Sequence, residues 1–229
     1  MSWFRTYMRS SIGMKQLMGA TGLALVGFVL VHMLGNLQIF LGQETFNEYP
    51  IKLRSLGALL WIARAGLLML VVLHIYTALV LYFKNRAARP VAYKSYRPRK
   101  ATFYGRYMTL LGVVLLAYIV YHLLHFTFGV VLADLSNLTD SAGRHDLYSY
   151  VILSFQKPVV AIAYVLANIV LCLHLLHGLP SLFQSVGLRH PKYNTAIDRL
   201  SLAIVTLIFV GNTAIPLAAL LKVIPGGAA

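Results

Sequence analysis

The chain has 229 residues, 59% of them hydrophobic and only 11% charged, with a mean hydropathy of +0.73. A water-soluble domain carries about a quarter charged residues, so the composition argues for an integral membrane protein and against an ordinary soluble fold. The formal net charge is +14. In a soluble chain that would suggest nucleic acid, but in a membrane protein Lys and Arg collect in cytoplasmic loops, and the loops must be read first.

Residues 1–15 read as a short amphipathic lead-in carrying Arg5, Arg9 and Lys15. Gln16 to Gln43 is uncharged and long enough to span a bilayer. It lacks a small-residue cleavage site and is expected to stay as a helix rather than be removed as a signal peptide. Five spans are predicted, over about 16–41, 55–83, 104–128, 158–183 and 200–221. The first is rich in glycine (Gly19, Gly22, Gly27, Gly35), which permits close approach of a backbone or a flat ligand. The first loop, Gly42–Arg54, holds Glu44, Glu48, Lys52 and Arg54. The second, Lys84–Arg106, holds eight cations and no acid, with Pro90 and Pro98 marking it as a loop. The connection Gly129–Lys157 is polar and long enough for a short surface helix. Pro158 suits the first turn of the fourth span. Gly187–Arg199 reads as a basic loop, and Gly226–Ala229 as a tail. The predicted fold is an all-α membrane protein, a five-transmembrane-helix bundle forming one domain over residues 1–229.

Lys and Arg number 3 in the amino-terminal segment, 8 in the second loop and 3 in the fourth, against 2 in the first and 2 in the third. The asymmetry puts the amino terminus in the cytoplasm and the carboxyl terminus outside. Topology thus accounts for most of the +14, and no nucleic-acid partner is expected. The single cysteine, Cys172, excludes an intrachain disulfide and a cysteine-ligated iron–sulfur cluster within the chain. Its expected role is that of a small packing residue.

Histidines stand inside four of these apolar runs: His32, His74, the pair in His122-Leu-Leu-His125 and the pair in His174-Leu-Leu-His177. An α-helix rises about 1.5 Å per residue, so position in a span gives depth. His32 lies about four residues beyond the middle of an outward-running span and His122 about six beyond the middle of another. His74 and His174 lie about five and about four residues beyond the middles of two inward-running spans. The histidines therefore sort by depth into an outer pair, His32 with His122, and an inner pair, His74 with His174. The levels differ by roughly 10–16 Å.

Two haems, each clamped between two imidazoles, suit that arrangement, and such ligation favours electron transfer over oxygen chemistry. A lone membrane histidine commonly just hydrogen-bonds a neighbouring helix, but ionisable groups at this depth are costly and mark functional sites. A proton relay, the competing use, is expected to include membrane carboxylates, and no span core contains Asp or Glu.

Val31-His32-Met33 followed by Phe40-Leu41-Gly42, Leu73-His74-Ile75-Tyr76, Tyr121-His122-Leu123-Leu124-His125-Phe126 and His174-Leu175-Leu176-His177-Gly178-Leu179 occur in this order. In that order and spacing the chain resembles the membrane cytochrome b subunit of succinate dehydrogenases and fumarate reductases. The class is the one in which a single five-helix polypeptide holds two b haems, and the likeness spans essentially the whole chain. It implies that the first histidine of each His-Leu-Leu-His is the iron ligand. His122 follows the Val120-Tyr121 pair of its span, and His174 stands four residues before Gly178. It further implies an iron–sulfur subunit and a flavoprotein as partners, the former docking at the basic second loop. Menaquinone or another quinone is implied as substrate, and the cytoplasmic membrane of a prokaryote as location. No catalytic residue for the dicarboxylate is expected here, because that chemistry belongs to the flavoprotein. Some fumarate-reducing relatives carry a glutamate two residues before the fourth-span ligand; this chain has Cys172 there.

His125 and His177 are expected to back up the ligand histidines or to touch a haem edge; either could instead hydrogen-bond a haem propionate or a quinone. Arg64, an unusual charge within the second span, is expected to meet an outer haem propionate, since Arg makes bidentate carboxylate contacts; snorkelling to the interface is its other reading. Quinone candidates on the outer side are Asn36, Gln38, Glu44, Glu48, Trp61 and His125, and on the inner side His177, Ser181 and Gln184. The competing functions are the cytochrome b anchor of another quinone-linked enzyme, of hydrogenase or formate dehydrogenase type, and a haem-free membrane scaffold or transporter.

Overall fold

The structure, a computed structural model, describes residues 2–88, 91 and 102–225. Most of the basic loop (Arg89, Pro90, Lys94, Arg97, Pro98, Arg99, Lys100) and the tail 226–229 lie outside the described residues. Helix α1 (Ser2–Arg9) precedes the long α2 (Ser11–Leu37), which a 3₁₀ turn continues to Leu41. Then follow α3 (Gln43–Arg54), α4 (Ala58–Ala87), the single turn α5 (Phe103–Arg106) and α6 (Met108–His122). A π-helical turn (Leu123–Thr127), α7 (Ala133–Ser136), α8 (Leu147–Phe155), α9 (Pro158–Ser185) and α10 (Pro191–Leu220) complete the order. Among the described residues the only extended pairing is one antiparallel bridge, Thr139 with His145.

Five of these helices are long and apolar enough to cross a membrane: Ser11–Leu41, Ala58–Ala87, Met108–Thr127, Pro158–Ser185 and Pro191–Leu220. That is the character of a multi-pass membrane protein. The polar backbone is satisfied within each helix, which is the condition for crossing hydrocarbon.

Three segments differ from the sequence expectation. The first loop is helical over α3, which Glu44 in its first turn and Lys52 and Arg54 in its last turn favour through the helix dipole. The fifth long helix begins at Pro191, well before residue 200. Proline suits a first helical turn, and the His190 ring Nδ1 accepts from the Lys192 backbone N–H at 3.2 Å, so the basic stretch is capped and helical rather than a loop. The short helix in the third connection, α8, is not at the surface. Tyr148, Tyr150, Val151, Ile152, Ser154 and Phe155 along it are all buried.

The chain forms two compact units. One comprises Met1–Phe28, Ala63–Val113 and Leu173–Val205; the other Val29–Ile62, Val114–Cys172 and Thr206–Ala229. In the second unit α8 packs into a core with Ile39, Phe46, Val160, Tyr164 and Ile215. Polar contacts lock the start of α8. The buried Asp146 carboxylate accepts from Gln43 Nε2 (2.8 Å), Asn47 Nδ2 (2.9 Å) and the Ser149 N–H (3.1 Å), the last being a helix N-cap. Asn47 Oδ1 in return accepts from the Tyr148 N–H at 2.9 Å. Arg144 pairs with Glu44 (2.6 Å) and Asp140 (2.8 Å).

Burial alone would raise the Asp146 carboxyl, but the hydrogen bonds from Ser149, Asn47 and Gln43 outweigh it and hold it below the usual carboxylate range. A depressed folded pKa stabilises the fold above the unfolded value of about 3.9 and loses that contribution as pH falls through the folded value. Hydrogen exchange over residues 138–155 is therefore expected to be slow at pH 7 and to accelerate once the pH drops below about 4. A flat profile from pH 7 to pH 3 would contradict the role given to Asp146.

Candidate functional site

In the first unit α4 carries His74 and α9 carries His174. Their ring centroids are 6.3 Å apart with planes at 62°. Nδ1 of His74 lies 3.1 Å from the Met18 carbonyl of α2 and 3.3 Å from Thr21 Oγ1. A carbonyl only accepts, so Nδ1 carries the proton and Nε2 of the neutral ring keeps its lone pair. The Thr21 hydroxyl donates to the Leu17 and Met18 carbonyls and is therefore free to accept. Gly22 stands beside the same ring: a Cβ there would lie 3.2 Å from His74 Cε1. His174 Nδ1 is buried and has no hydrogen-bond partner among the described residues. A buried imidazole nitrogen left so is costly.

In the second unit α2 carries His32 and the last position of α6 carries His122. Their ring centroids are 5.8 Å apart with planes at 89°. His122 Nδ1 lies 3.4 Å from the Tyr164 hydroxyl of α9.

The structure thus brings His32 beside His122 and His74 beside His174, each pair drawn from two different helices. A metal ion bound by one nitrogen from each of two imidazoles, at about 2 Å per bond, sets the ring centres about 6 Å apart. Axial rings both contain the ligand axis, so any angle between their planes is compatible. The four rings fit a haem iron on this test. All four also keep part of their surface accessible, His32 the most. No group of three or more His, Cys, Asp or Glu that could hold a metal ion occurs among the described residues.

The second histidine of each motif has a different setting. His125 is fully buried, at 0% exposure. Its Nδ1 meets the Tyr164 hydroxyl at 3.0 Å, its Nε2 meets Ser154 Oγ at 3.2 Å, and its ring stacks on Phe126 with centroids 3.9 Å apart. Both nitrogens are engaged by the protein itself. The π-helical turn is closed by Phe128 N–H donating to the Leu123 carbonyl at 2.9 Å, and within it His125 reaches Ser154 of α8. The hydroxyl proton of Tyr150 is shared between the carbonyls of His125 (2.5 Å) and Val131 (2.9 Å), which anchors the widened turn. His177 packs against the start of the third span: a Cβ on Gly105 would lie 2.8 Å from its Nδ1, and Tyr104 approaches edge-on at 6.5 Å.

Arg64 and Trp61 are exposed on α4. Glu44 and Glu48, named as quinone candidates, are held in ion pairs with Arg144 and Lys52. Gln184 is exposed, while Asn36, Gln38 and Ser181 are partly buried. Cys172 is buried with Sγ 4.0 Å from Asn168 Oδ1, and Asn168 Nδ2 donates to Thr213 Oγ1 and the Phe209 carbonyl. Sequence reading passed over Tyr164 and Ser154, the two hydroxyls that hold His125. The available signal was the spacing of Tyr164, Asn168 and Cys172 at four-residue intervals, a polar line on one face of an otherwise apolar helix.

No family model, curated protein or solved structure matches the chain. Any functional reading therefore stands on the residues and their geometry.

Gly22 offers a direct check of the His74 setting. A Cβ at Gly22 would lie 3.2 Å from the His74 ring, so Gly22→Val is expected to displace the ring from the Met18 carbonyl and, if His74 holds haem, to remove or distort one haem signal. The ferric low-spin spectrum of the purified variant reads this, and an unaltered spectrum would detach Gly22 from the site.

Proposed function

We propose that the chain is the dihaem cytochrome b membrane anchor of a succinate:quinone oxidoreductase, passing electrons between an iron–sulfur subunit and a membrane quinone. One observation carries the reading: His32 with His122 and His74 with His174 stand in two ring pairs at 5.8 and 6.3 Å, each pair drawn from two separate long apolar helices. His32 and His122 would hold one b-type haem, His74 and His174 the other. A bis-histidine haem, when bound, supplies one-electron transfer with both axial positions closed.

The chain's own contribution is to hold and orient those rings. The Met18 carbonyl sets the His74 tautomer that leaves Nε2 able to ligate, and such a partner also raises the basicity of a ligand. The order and spacing of the four histidine segments support the succinate dehydrogenase and fumarate reductase family over other quinone-linked cytochromes b. The chain has no flavin or dicarboxylate motif, so succinate or fumarate chemistry falls to a flavoprotein partner, bound through an iron–sulfur subunit. The loop charges support a cytoplasmic amino terminus, an inner level for His74 and His174 and an outer level for His32 and His122. Arg64 and His177 remain candidates for haem propionate or edge contacts.

A pyridine haemochrome assay on the purified chain is the test. Two b haems per chain is the expected result, and none would sink the reading. Purification with its partners, followed by succinate-dependent quinone reduction, separates the succinate enzyme from a hydrogenase or formate dehydrogenase anchor.

A further inference from the structure

His122, Tyr164, His125 and Ser154 form one continuous line of hydrogen bonds within the second unit, with steps of 3.4, 3.0 and 3.2 Å. Donor and acceptor counting gives the line a direction. A neutral imidazole that ligates through Nε2 has its proton on Nδ1, so His122 Nδ1–H donates to the Tyr164 oxygen. The Tyr164 hydroxyl then spends its own proton on His125 Nδ1. His125 in turn carries its remaining proton on Nε2 and donates to Ser154 Oγ. Each imidazole N–H and the Tyr164 O–H meets an acceptor, and neither nitrogen of His125 is left over.

We propose that Tyr164 is the positioning residue for the His122 ligand, and that His125 and Ser154 exist to aim the Tyr164 hydroxyl. The placement of the rings supports this. Tyr164 stands between Phe155 and Tyr118, with centroids 4.9 and 5.3 Å away, so the phenol has little freedom to turn. His125 is sealed from solvent and stacked on Phe126, so its nitrogen presents a fixed acceptor. A hydrogen-bond acceptor on the far nitrogen of a ligating imidazole holds the ring's orientation and makes it a stronger donor to iron, which favours the oxidised metal. This assigns the second histidine of the His-Leu-Leu-His motif a role that needs no contact with the haem. The inference rests on the haem reading above.

The test uses the full-length purified protein with its haems. Tyr164→Phe keeps the packed ring and deletes only the hydroxyl. Expected is a haem content still at two per chain, with the midpoint potential of one haem shifted to a more positive value and its low-spin ferric EPR signal moved, while the other haem changes in neither. Ser154→Ala should shift the same haem in the same direction by less. Both potentials and both EPR signals unmoved in Tyr164→Phe would overturn the proposal. Tyr118→Phe removes a neighbouring hydroxyl that lies outside the line and serves as the packing control. Loss of one haem in Tyr164→Phe but not in Tyr118→Phe supports the positioning role, and equal loss in both counts against it. Wild-type protein that holds no haem overturns the haem reading instead, so the two failures are distinguishable.

Discussion

Changing His122 to alanine is expected to lower the haem content of the purified chain from two to one, whereas changing His125 to alanine leaves two haems and lowers the melting temperature. The two residues are three positions apart and chemically identical, so the contrast isolates their surroundings. His122 is partly accessible, pairs with His32 at 5.8 Å and gives only its Nδ1 to the Tyr164 bond. On the proposed haem reading its removal deletes one of two ligands and little packing. His125 has no exposed surface and both nitrogens bonded, and it packs on Phe126, Tyr150 and Tyr164. Its removal opens a cavity and strands the Tyr164 and Ser154 hydroxyls, a combination costing about 3–4 kcal/mol. For a chain of this size that lowers the melting temperature by roughly 10 °C. Haem loss in His125→Ala with full retention in His122→Ala would exchange the two assignments. The same logic at the inner pair predicts one haem lost in His74→Ala and one in His174→Ala, with His177→Ala retaining both.

Asp146→Ala is the second large effect, and it should be confined to one unit. The carboxylate is the common acceptor for Gln43, Asn47 and the first turn of α8, so its loss uncaps a buried helix and removes an acceptor from the buried Asn47 and the partly buried Gln43. A loss of about 3 kcal/mol is expected, from one helix cap and two lost amide-to-carboxylate hydrogen bonds. Hydrogen exchange should rise along α3 and α8, and the core around Ile39, Phe46, Ile152 and Phe155 should loosen. Signals of the His74 and His174 site should be retained, because those residues belong to the other compact unit. Exchange unchanged along α8 would show that apolar burial alone holds this helix.

The sequence and the structure agree where a strong, local physical constraint operates. Five spans were legible because a bilayer demands about twenty uncharged residues, and charge-free runs such as Tyr107–Ala133 and Pro158–Leu188 answer no other need. Helical rise converts chain position into depth, and on that ground alone the sequence groups His32 with His122 and His74 with His174, the rings that the structure places 5.8 and 6.3 Å apart. The start of the last helix was not. The charges of Lys192, Asp198 and Arg199 argue against hydrocarbon but say nothing against helix, and Pro191 opens one outside the apolar stretch.

The amino-acid sequence by itself determined that the chain carries five apolar spans, and it determined which histidines can meet by depth. Charge, length and helical rise are additive along the chain and need no partner to be read. Only the tertiary structure decided what lies beside each histidine. The segment Leu147–Phe155 is short and apolar, equally suited to a membrane surface or a protein core; Asn47 and Gln43, about a hundred residues earlier, draw Asp146 inward and bury it. That burial in turn presents Ser154 and Tyr150 to a widened turn, and so seals His125 from solvent while His122, one turn earlier, stays accessible. Contacts between residues so far apart in sequence depend on how whole helices pack, a property that no local pattern encodes.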